Sequence, residues 1–194
     1  MKPENLDSKF EHLFQIVKRE SFLKMEALGG EIPFYISAYV PRQQVEVDKH
    51  IRALKNRLNN AGAEVLEINL YELCLDVLER RGLLEKILAT ETNMAKERFK
   101  KAIKAPLDIE GNIIPEIGKL VNSIDCKVVF LTGLGLVYPY VRSHTILNNL
   151  HSVIKNVPTV VFFPGVYSGT SLELFGRLKD DNYYRAFNID KIKL

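Results

Sequence analysis

The stretch VVFLTGLGLVYPYVRSHTILNNL, residues 128–150, has the layout of a phosphate-binding loop. An apolar β-branched run leads into a glycine turn at Gly133 and Gly135, and a helical pattern follows from about residue 141. A nucleotide-binding loop of the G-x-x-x-x-G-K-[ST] type needs a lysine for the β- and γ-phosphates and a hydroxyl for magnesium. The turn has no lysine, and the dinucleotide fingerprint lacks its third glycine. The sequence therefore predicts a phosphate-loop-like topology without a Walker A motif, and it argues against NTP hydrolysis here.

The start of the following helix carries Arg142, Ser143 and His144. Unpaired amides at a helix N-terminus bind anions weakly, so these residues are candidates for holding a phosphate or a partner's carboxylate. The alternative is that Ser143 caps the helix and Arg142 pairs with a carboxylate of the same chain. His144, Asn148 and His151 fall on the polar side of this helix. The two histidines lie about 10 Å apart along the axis, too far to share a metal ion, so a polar contact surface is expected.

Other patterns fall short of catalytic motifs. The stretch GVYSGTS, 165–171, lacks the G-x-S-x-G spacing of a nucleophile elbow. Ser168 and Thr170 are instead expected to cap a short helix over SLELFGRL. A metal-dependent nuclease is disfavoured because EVLEIN ends at Asn69, where such enzymes commonly place a lysine. We therefore expect no catalytic residues, no metal and no cofactor.

The order of the elements predicts the fold class. Strands are expected at 32–40, 64–70, 127–133 and 159–165, and helices at 43–60, at 141–156 and behind a cap at Asp7 or Ser8. The first two strands and the helix between them form a βαβ unit with parallel strands. The chain is thus predicted to be a single α/β domain over residues 1–194, with three layers and a mainly parallel sheet flanked by helices. Two additions to this plan are a helical insertion over 71–105 and a linker-like stretch over 106–118.

Composition excludes several classes of protein. The formal net charge of +3 selects neither nucleic acid nor an anionic membrane, and no apolar run is long enough for a membrane span. The N-terminus lacks the apolar core of a secretory signal, so a soluble, cytoplasmic protein is expected. Cys74 and Cys126 are far apart in apolar surroundings, which predicts buried reduced thiols.

A basic stripe lies in the predicted insertion, where Lys96, Lys100 and Lys104 recur at intervals of four beside Lys101. Side chains with this spacing share one helix face. They either contact nucleic-acid phosphates or form a solvated face.

The C-terminal segment FGRLKDDNYYRAFNID combines tyrosines, arginines and aspartates in a few residues. Tyrosine and arginine are enriched at protein interfaces because each combines apolar area with directional polar groups. The alternative is that Tyr184 and Phe187 anchor a final edge strand in the core.

Three motifs carry a resemblance to a known family. FLTGLGLVYPYVRSHTILNNL, PTVVFFPGVYSG and LFGRLKDDNYYRAF closely resemble the BrxB family of bacteriophage exclusion (BREX) systems. The resemblance implies a cytoplasmic component of an anti-phage defence operon that also encodes a large ATPase, an adenine-specific DNA methyltransferase and an alkaline-phosphatase-like protein. It implies a non-enzymatic assembly component, with no catalytic residues to transfer. The motif positions taken as candidate contact residues are Tyr138, Pro139, Arg142, His144, Asn148, Gly165, Arg177, Asp180, Asp181, Tyr184 and Arg185.

Three functional hypotheses follow. In the first, the chain is an interaction module that docks on the ATPase or the methyltransferase through the loop after Leu131 and the segment KDDNYYR. In the second, it is a sensor or degenerate enzyme that binds a nucleotide or nucleic-acid phosphate at the Gly133–His144 turn. In the third, the lysines Lys96, Lys100, Lys101 and Lys104 contact DNA directly.

Overall fold

The computed structural model describes residues 3–26, 34–179 and 186–194, which form seven strands and eight α-helices. The strands are β1 Phe34–Tyr39, β2 Val65–Asn69, β3 Val128–Thr132, β4 Thr159–Tyr167, β5 Leu172–Leu174, β6 Leu178–Lys179 and β7 Phe187–Asn188. The helices are α1 Leu6–Val17, α2 Glu20–Leu23, α3 Gln44–Asn60, α4 Leu70–Arg80, α5 Leu84–Thr90, α6 Lys96–Lys104, α7 Ile114–Ser123 and α8 Ser143–Leu150. Pro41–Gln43 and Ile189–Lys191 form 3₁₀ turns, and Ile109–Ile113 forms a π-helical turn.

The middle layer is a parallel sheet with the strand order β2-β3-β4-β1-β7. Each neighbouring pair in this order is parallel. Strand β1 pairs with β4 along its whole length, from Phe34 opposite Thr159 to Tyr39 opposite Pro164. The carboxyl ends of the parallel strands therefore meet at one edge of the sheet, which is where α/β proteins commonly bind ligands.

Helices cover both faces of this sheet. One core cluster joins α1 and α3 to Tyr35, Phe130 and Phe162, and the other joins α4, α7 and α8 to neighbouring strand residues such as Leu131 and Phe163. Adjacent residues of a strand point to opposite faces, so Phe162 and Phe163 are both buried but lie in different clusters. This burial on both faces explains the unbroken apolar runs of β3 and β4. The predicted α/β class with a mainly parallel sheet between helices is confirmed.

The N-terminal unit follows the predicted order with two differences. Strands β1 and β2 are parallel, as expected for β1-α3-β2, but β3 and β4 lie between them. The cap expected at Asp7 or Ser8 is wrong, because the side chain of Asn5 accepts a hydrogen bond from the Ser8 amide at 3.1 Å. Asn5 has the extended backbone that an N-cap position requires. The first two residues of the strand expected at 32–40 lie outside the described residues.

The predicted insertion over 71–105 contains three helices, α4, α5 and α6, with breaks at residues 81–83 and 91–95. The stretch 106–118 has prolines and glycines that favoured a linker, whereas the structure has the π-helical turn and the first half of α7. Ile113 and Ile117 are completely buried in the core. Pro115 stands in the first turn of α7, where its missing N–H costs nothing.

The short helix expected over SLELFGRL is wrong, because this segment forms the β5–β6 hairpin, which extends β4 in antiparallel fashion. Leu172 and Leu174 are buried and Glu173 is not, which is the period of a strand. Phe175 (φ +59°) and Gly176 (φ +65°) then reverse the chain. Ser168 caps no helix; its hydroxyl oxygen accepts from the Ser171 amide within the preceding turn, at 3.0 Å.

Candidate functional site

The loop between β3 and α8, residues 133–142, begins at the glycine that suggested a phosphate-binding loop. Gly133 has φ +77°, and a Cβ atom there would lie 2.3 Å from Oδ1 of Asn69 at the end of the neighbouring strand β2. That oxygen caps α4 by accepting from the Tyr71 amide at 3.0 Å. Only a residue without a side chain fits such a contact at positive φ. Gly133 is thus explained by packing against the α4 cap.

The start of α8 differs from the predicted capping arrangement. The N-cap residue is Arg142, and no side-chain hydrogen bond caps the helix. The hydroxyl oxygen of Ser143 is buried and has no hydrogen-bond partner among the described residues. Ser143 therefore does not cap the helix. The Arg142 side chain makes no ion pair with a carboxylate of the described chain, so the intramolecular pairing that was the alternative to a binding role is not found there.

The β5–β6 hairpin lies beside this loop, and the two enclose an open cavity of about 560 Å³. The ring of Phe175 packs edge to face on Tyr138. The predicted residues Tyr138, Arg142, His144 and Arg177 all line the cavity. The other lining residues are Ser143, Phe163, Leu172, Leu174, Leu178 and Lys179.

Apolar side chains are unusually exposed around the cavity. The described residues include ten exposed large apolar side chains, and four of them lie on these two segments. They are Leu136 (53%), Leu178 (40%), Tyr138 (38%) and Phe175 (37%). We call these four residues, together with Arg142 and Arg177, the carboxyl-edge surface. A clustered exposed apolar patch with polar neighbours is typical of a protein interaction site.

Three of the remaining predicted contact residues lie in the described part of the chain, and four lie outside it. Pro139 forms a cis peptide bond with Tyr138 in the loop, and Asn148 is exposed on α8. Gly165 is buried, and a Cβ atom at this position would lie only 2.1 Å from the Glu173 carbonyl oxygen of β5. Its position serves the close pairing of β4 with β5. Asp180, Asp181, Tyr184 and Arg185 lie outside the described residues.

Three apolar members of the surface, Leu136, Phe175 and Leu178, were not predicted from the sequence. The sequence contained a sign of their exposure, because Leu136 follows a glycine turn and Phe175 and Leu178 flank Gly176 and Arg177. Large apolar residues in turns need a partner to be buried. The reading of the hairpin as a helix hid that signal.

The lysine stripe lies on α6, where Lys96, Lys101 and Lys104 are exposed and Lys100 is half-buried. The opposite side of α6 packs Phe99 and Ile103 on the core. Lys104 reaches a second cavity, of about 320 Å³, which Arg142 also lines together with Asp108 and Glu110. The positive charge of α6 is therefore interrupted by carboxylates before it reaches the carboxyl-edge surface.

Several polar groups elsewhere in the described ranges are paired within the protein or buried. Glu67 on β2 forms an ion pair with Lys55 at 3.4 Å and accepts a hydrogen bond from the Thr132 hydroxyl. Cys74 and Cys126 are buried free thiols, and burial raises the pKa of Cys74 to about 12. The described ranges hold no cluster of three or more metal-ligating side chains. None of the described helices has the length and apolar character to cross a membrane.

The fold and the surface together define an α/β protein with an apolar, arginine-flanked contact region at the carboxyl edge of its sheet. The sequence profile of the family described as "BREX protein BrxB" matches residues 66–189. A BREX protein BrxB from Bacillus cereus (strain H3081.97) is 41% identical over 191 residues, which cover 96% of this chain and 98% of that protein. Another from Escherichia coli O9:H4 (strain HS) is 32% identical over 173 residues, covering 89% and 86%. No solved structure matches the chain significantly. The chain belongs to the BrxB family of BREX proteins.

Proposed function

We propose that this protein is a non-enzymatic assembly component of an anti-phage BREX system, and that it docks on another protein of that system through the carboxyl-edge surface. Membership of the BrxB family supports the defence role. The proposed direct partners are the large ATPase and the adenine-specific DNA methyltransferase. The alkaline-phosphatase-like protein is a further candidate partner.

The observation that carries this proposal is the concentration of exposed apolar side chains beside Arg142 and Arg177. Aromatic residues and arginine supply most of the binding energy at protein interfaces, because they desolvate a large area and still place polar groups. The turn that resembles a phosphate-binding loop lacks the lysine for phosphate, which supports a role without NTP hydrolysis.

Co-purification tests the proposal. The protein is co-expressed with the affinity-tagged ATPase and, separately, with the tagged methyltransferase of its operon. We expect a stoichiometric complex with at least one of them, and we expect the Arg142→Glu, Arg177→Glu variant to lose it. The matched control is Lys96→Glu, Lys101→Glu, which changes the charge equally on α6 and should keep the complex. Circular dichroism verifies the fold of each variant. If the parent protein retains neither partner, the assembly role is wrong.

A second candidate function is the binding of a nucleotide or nucleic-acid phosphate at the Gly133–His144 turn. It is favoured by the Arg142 side chain and the buried Ser143 hydroxyl, neither of which has a partner in the described ranges. A ligand that binds the native state raises the melting temperature, so thermal shifts with ATP, GTP and short DNA test it. Direct DNA contact through the α6 lysines predicts instead an affinity that falls steeply with salt.

A further inference from the structure

The cavity of the carboxyl-edge surface has an apolar floor. Phe163, Leu172 and Leu174 line it, and they are buried. Tyr138 and Leu178 form part of its open side, where both are exposed. A concave apolar site of this kind accepts an apolar side chain, because the inserted atoms and the lining are removed from water together.

Two guanidinium groups, those of Arg142 and Arg177, line this cavity. Neither the Arg142 nor the Arg177 side chain makes an ion pair or hydrogen bond within the described part of the chain. The Ser143 hydroxyl, which also lines the cavity, is buried and lacks a partner there. Arginine presents several N–H donors in a planar fork that matches a carboxylate. The site thus offers charged and hydroxyl donors next to an apolar pocket.

A partner protein fits this combination better than a nucleic-acid strand does. Interfaces with nucleic acid are more polar and more positively charged than interfaces between proteins. Beside the rings of Tyr138 and Phe175, the exposed residues include the aliphatic side chains Leu136 and Leu178, which offer no flat ring for base stacking. Asp108 and Glu110 on the other side of Arg142 would repel a continuing phosphate backbone.

From this chemistry we infer that the cavity binds one continuous, short segment of a partner protein in which an acidic residue adjoins a leucine or an aromatic residue. The apolar side chain enters the cavity between Tyr138 and Leu178. The neighbouring carboxylate accepts hydrogen bonds from Arg142 and Arg177. The inference rests on the proposed docking function and specifies the chemistry of the partner at that surface.

An array of overlapping peptides that tiles the ATPase and the methyltransferase of the operon tests this inference. The purified full-length protein is the probe. We expect the retained peptides to share an Asp or Glu next to Leu, Phe, Tyr or Trp. The Arg142→Gln, Arg177→Gln variant should bind them at least about ten-fold more weakly, because a charge-assisted pair is lost. The matched control, Lys96→Gln, Lys101→Gln, should bind them like the parent protein.

A retained peptide is then titrated into the ¹⁵N-labelled protein, which locates binding without any substitution. Amide shifts confined to the loop 133–142, to the hairpin 172–179 and to Phe163 at the floor of the cavity support the inference, and shifts elsewhere overturn it. Retention of basic peptides, retention of none, or equal binding by the arginine variant also overturns it. Competition by single-stranded DNA that is lost in the arginine variant would assign the surface to nucleic acid instead. If full-length partners still co-purify while no peptide is retained, the docking function stands and this inference alone is wrong.

Discussion

The ring of Tyr138 packs edge to face on the ring of Phe175, with centroids 6.3 Å apart and planes at 86°. Residue 175 has φ +59°, which is unusual for a bulky side chain. Three hydrogen bonds hold this turn, including one from the Phe175 amide to the Pro164 carbonyl oxygen at 2.8 Å. The backbone therefore directs a large ring to the surface, and strained residues of this kind cluster at functional sites.

Replacing Phe175 by glycine separates the contribution of its ring to binding from the effect of its positive φ on stability. Glycine adopts positive φ without strain, which offsets part of the lost ring contact, so we expect an unfolding free energy within about 1 kcal/mol of the parent. Binding to the co-purified partner should weaken about thirty-fold, because an aromatic anchor is removed. Calorimetric titration and urea denaturation measure the two quantities. The matched control is Leu88→Ala, since Leu88 is an exposed apolar residue outside the surface, and equal binding by both variants would contradict the prediction.

The contact between Gly133 and Asn69 gives a prediction about stability. A Gly133→Ala substitution places a Cβ atom against the Asn69 oxygen that caps α4. Positive φ and the disturbed cap together should lower the unfolding free energy by about 3 kcal/mol. The control Gly62→Ala has φ +80° with open space around it, so it carries the backbone strain alone. Urea denaturation should show a clearly smaller loss for Gly62→Ala.

A double-mutant cycle checks the cause of this difference. If the cap is responsible, Gly133→Ala should cost no more than Gly62→Ala once Asn69 is already alanine. An unchanged cost in the Asn69→Ala background would mean that the contact with the Tyr71 backbone nitrogen, 3.1 Å from the same Cβ position, is responsible instead.

The glycine turn also shows what a sequence pattern can establish. The run into Gly133 and the helix after it were both predicted, since apolar periodicity and glycine signal a strand, a turn and a helix. The need for glycine at position 133 was not predicted, because it depends on contact with Asn69. These two residues adjoin only through the pairing of β2 with β3. The side-by-side placement of β1 and β4 is likewise a long-range pairing that no local pattern encodes.

For the β5–β6 hairpin, the local sequence pattern itself was misleading, because it favoured a helix. The alternation of Leu172, Glu173 and Leu174 is too short to exclude a helix, and the reversal uses Phe175, which is not a typical turn residue. The cavity at the carboxyl edge exists only because this segment returns along β4. Arg142, His144 and Arg177 could be selected as candidates from residue type, whereas their shared cavity required the fold.

A partly buried ion pair ties the C-terminal turn to α1. The Lys9 ammonium lies 3.1 Å from Oδ2 of Asp190, and the fully buried Ser37 hydroxyl donates to Oδ1 at 3.0 Å. Asp190→Ala leaves that hydroxyl without its acceptor and a largely buried cation with fewer partners. We expect a loss of about 3 kcal/mol in the free energy of unfolding. Glu20→Ala, which removes the exposed pair with Lys24, is the control and should leave the unfolding curve unchanged. Equal losses in the two variants would show that the Lys9–Asp190 pair stabilises the fold no more than the exposed Glu20–Lys24 pair does.

His50 should make stability depend on pH. Its Nδ1 donates to the Glu46 carbonyl oxygen at 2.8 Å, and its Nε2 donates to Asp7 at 3.0 Å. The Glu46 carbonyl and, secondly, Asp7 raise the pKa of His50, because both ring nitrogens carry protons only in the charged form. A pKa raised by folding stabilises the protein fully below the unfolded-state value of about 6.5, and this stabilisation is lost as the pH rises through the folded-state pKa.

The unfolding free energy of the parent protein should exceed that of His50→Gln by more at about pH 5 than at about pH 9. This change with pH should stay below about 1 kcal/mol, because the His50–Asp7 pair is partly solvated. Denaturation curves across this range give the difference, in which the other titrating groups cancel. Asp7→Asn removes one of the two interactions that raise the pKa, so the dependence should be weaker in that background. A difference between parent and His50→Gln that stays constant with pH would mean that the two hydrogen bonds do not favour the charged imidazole.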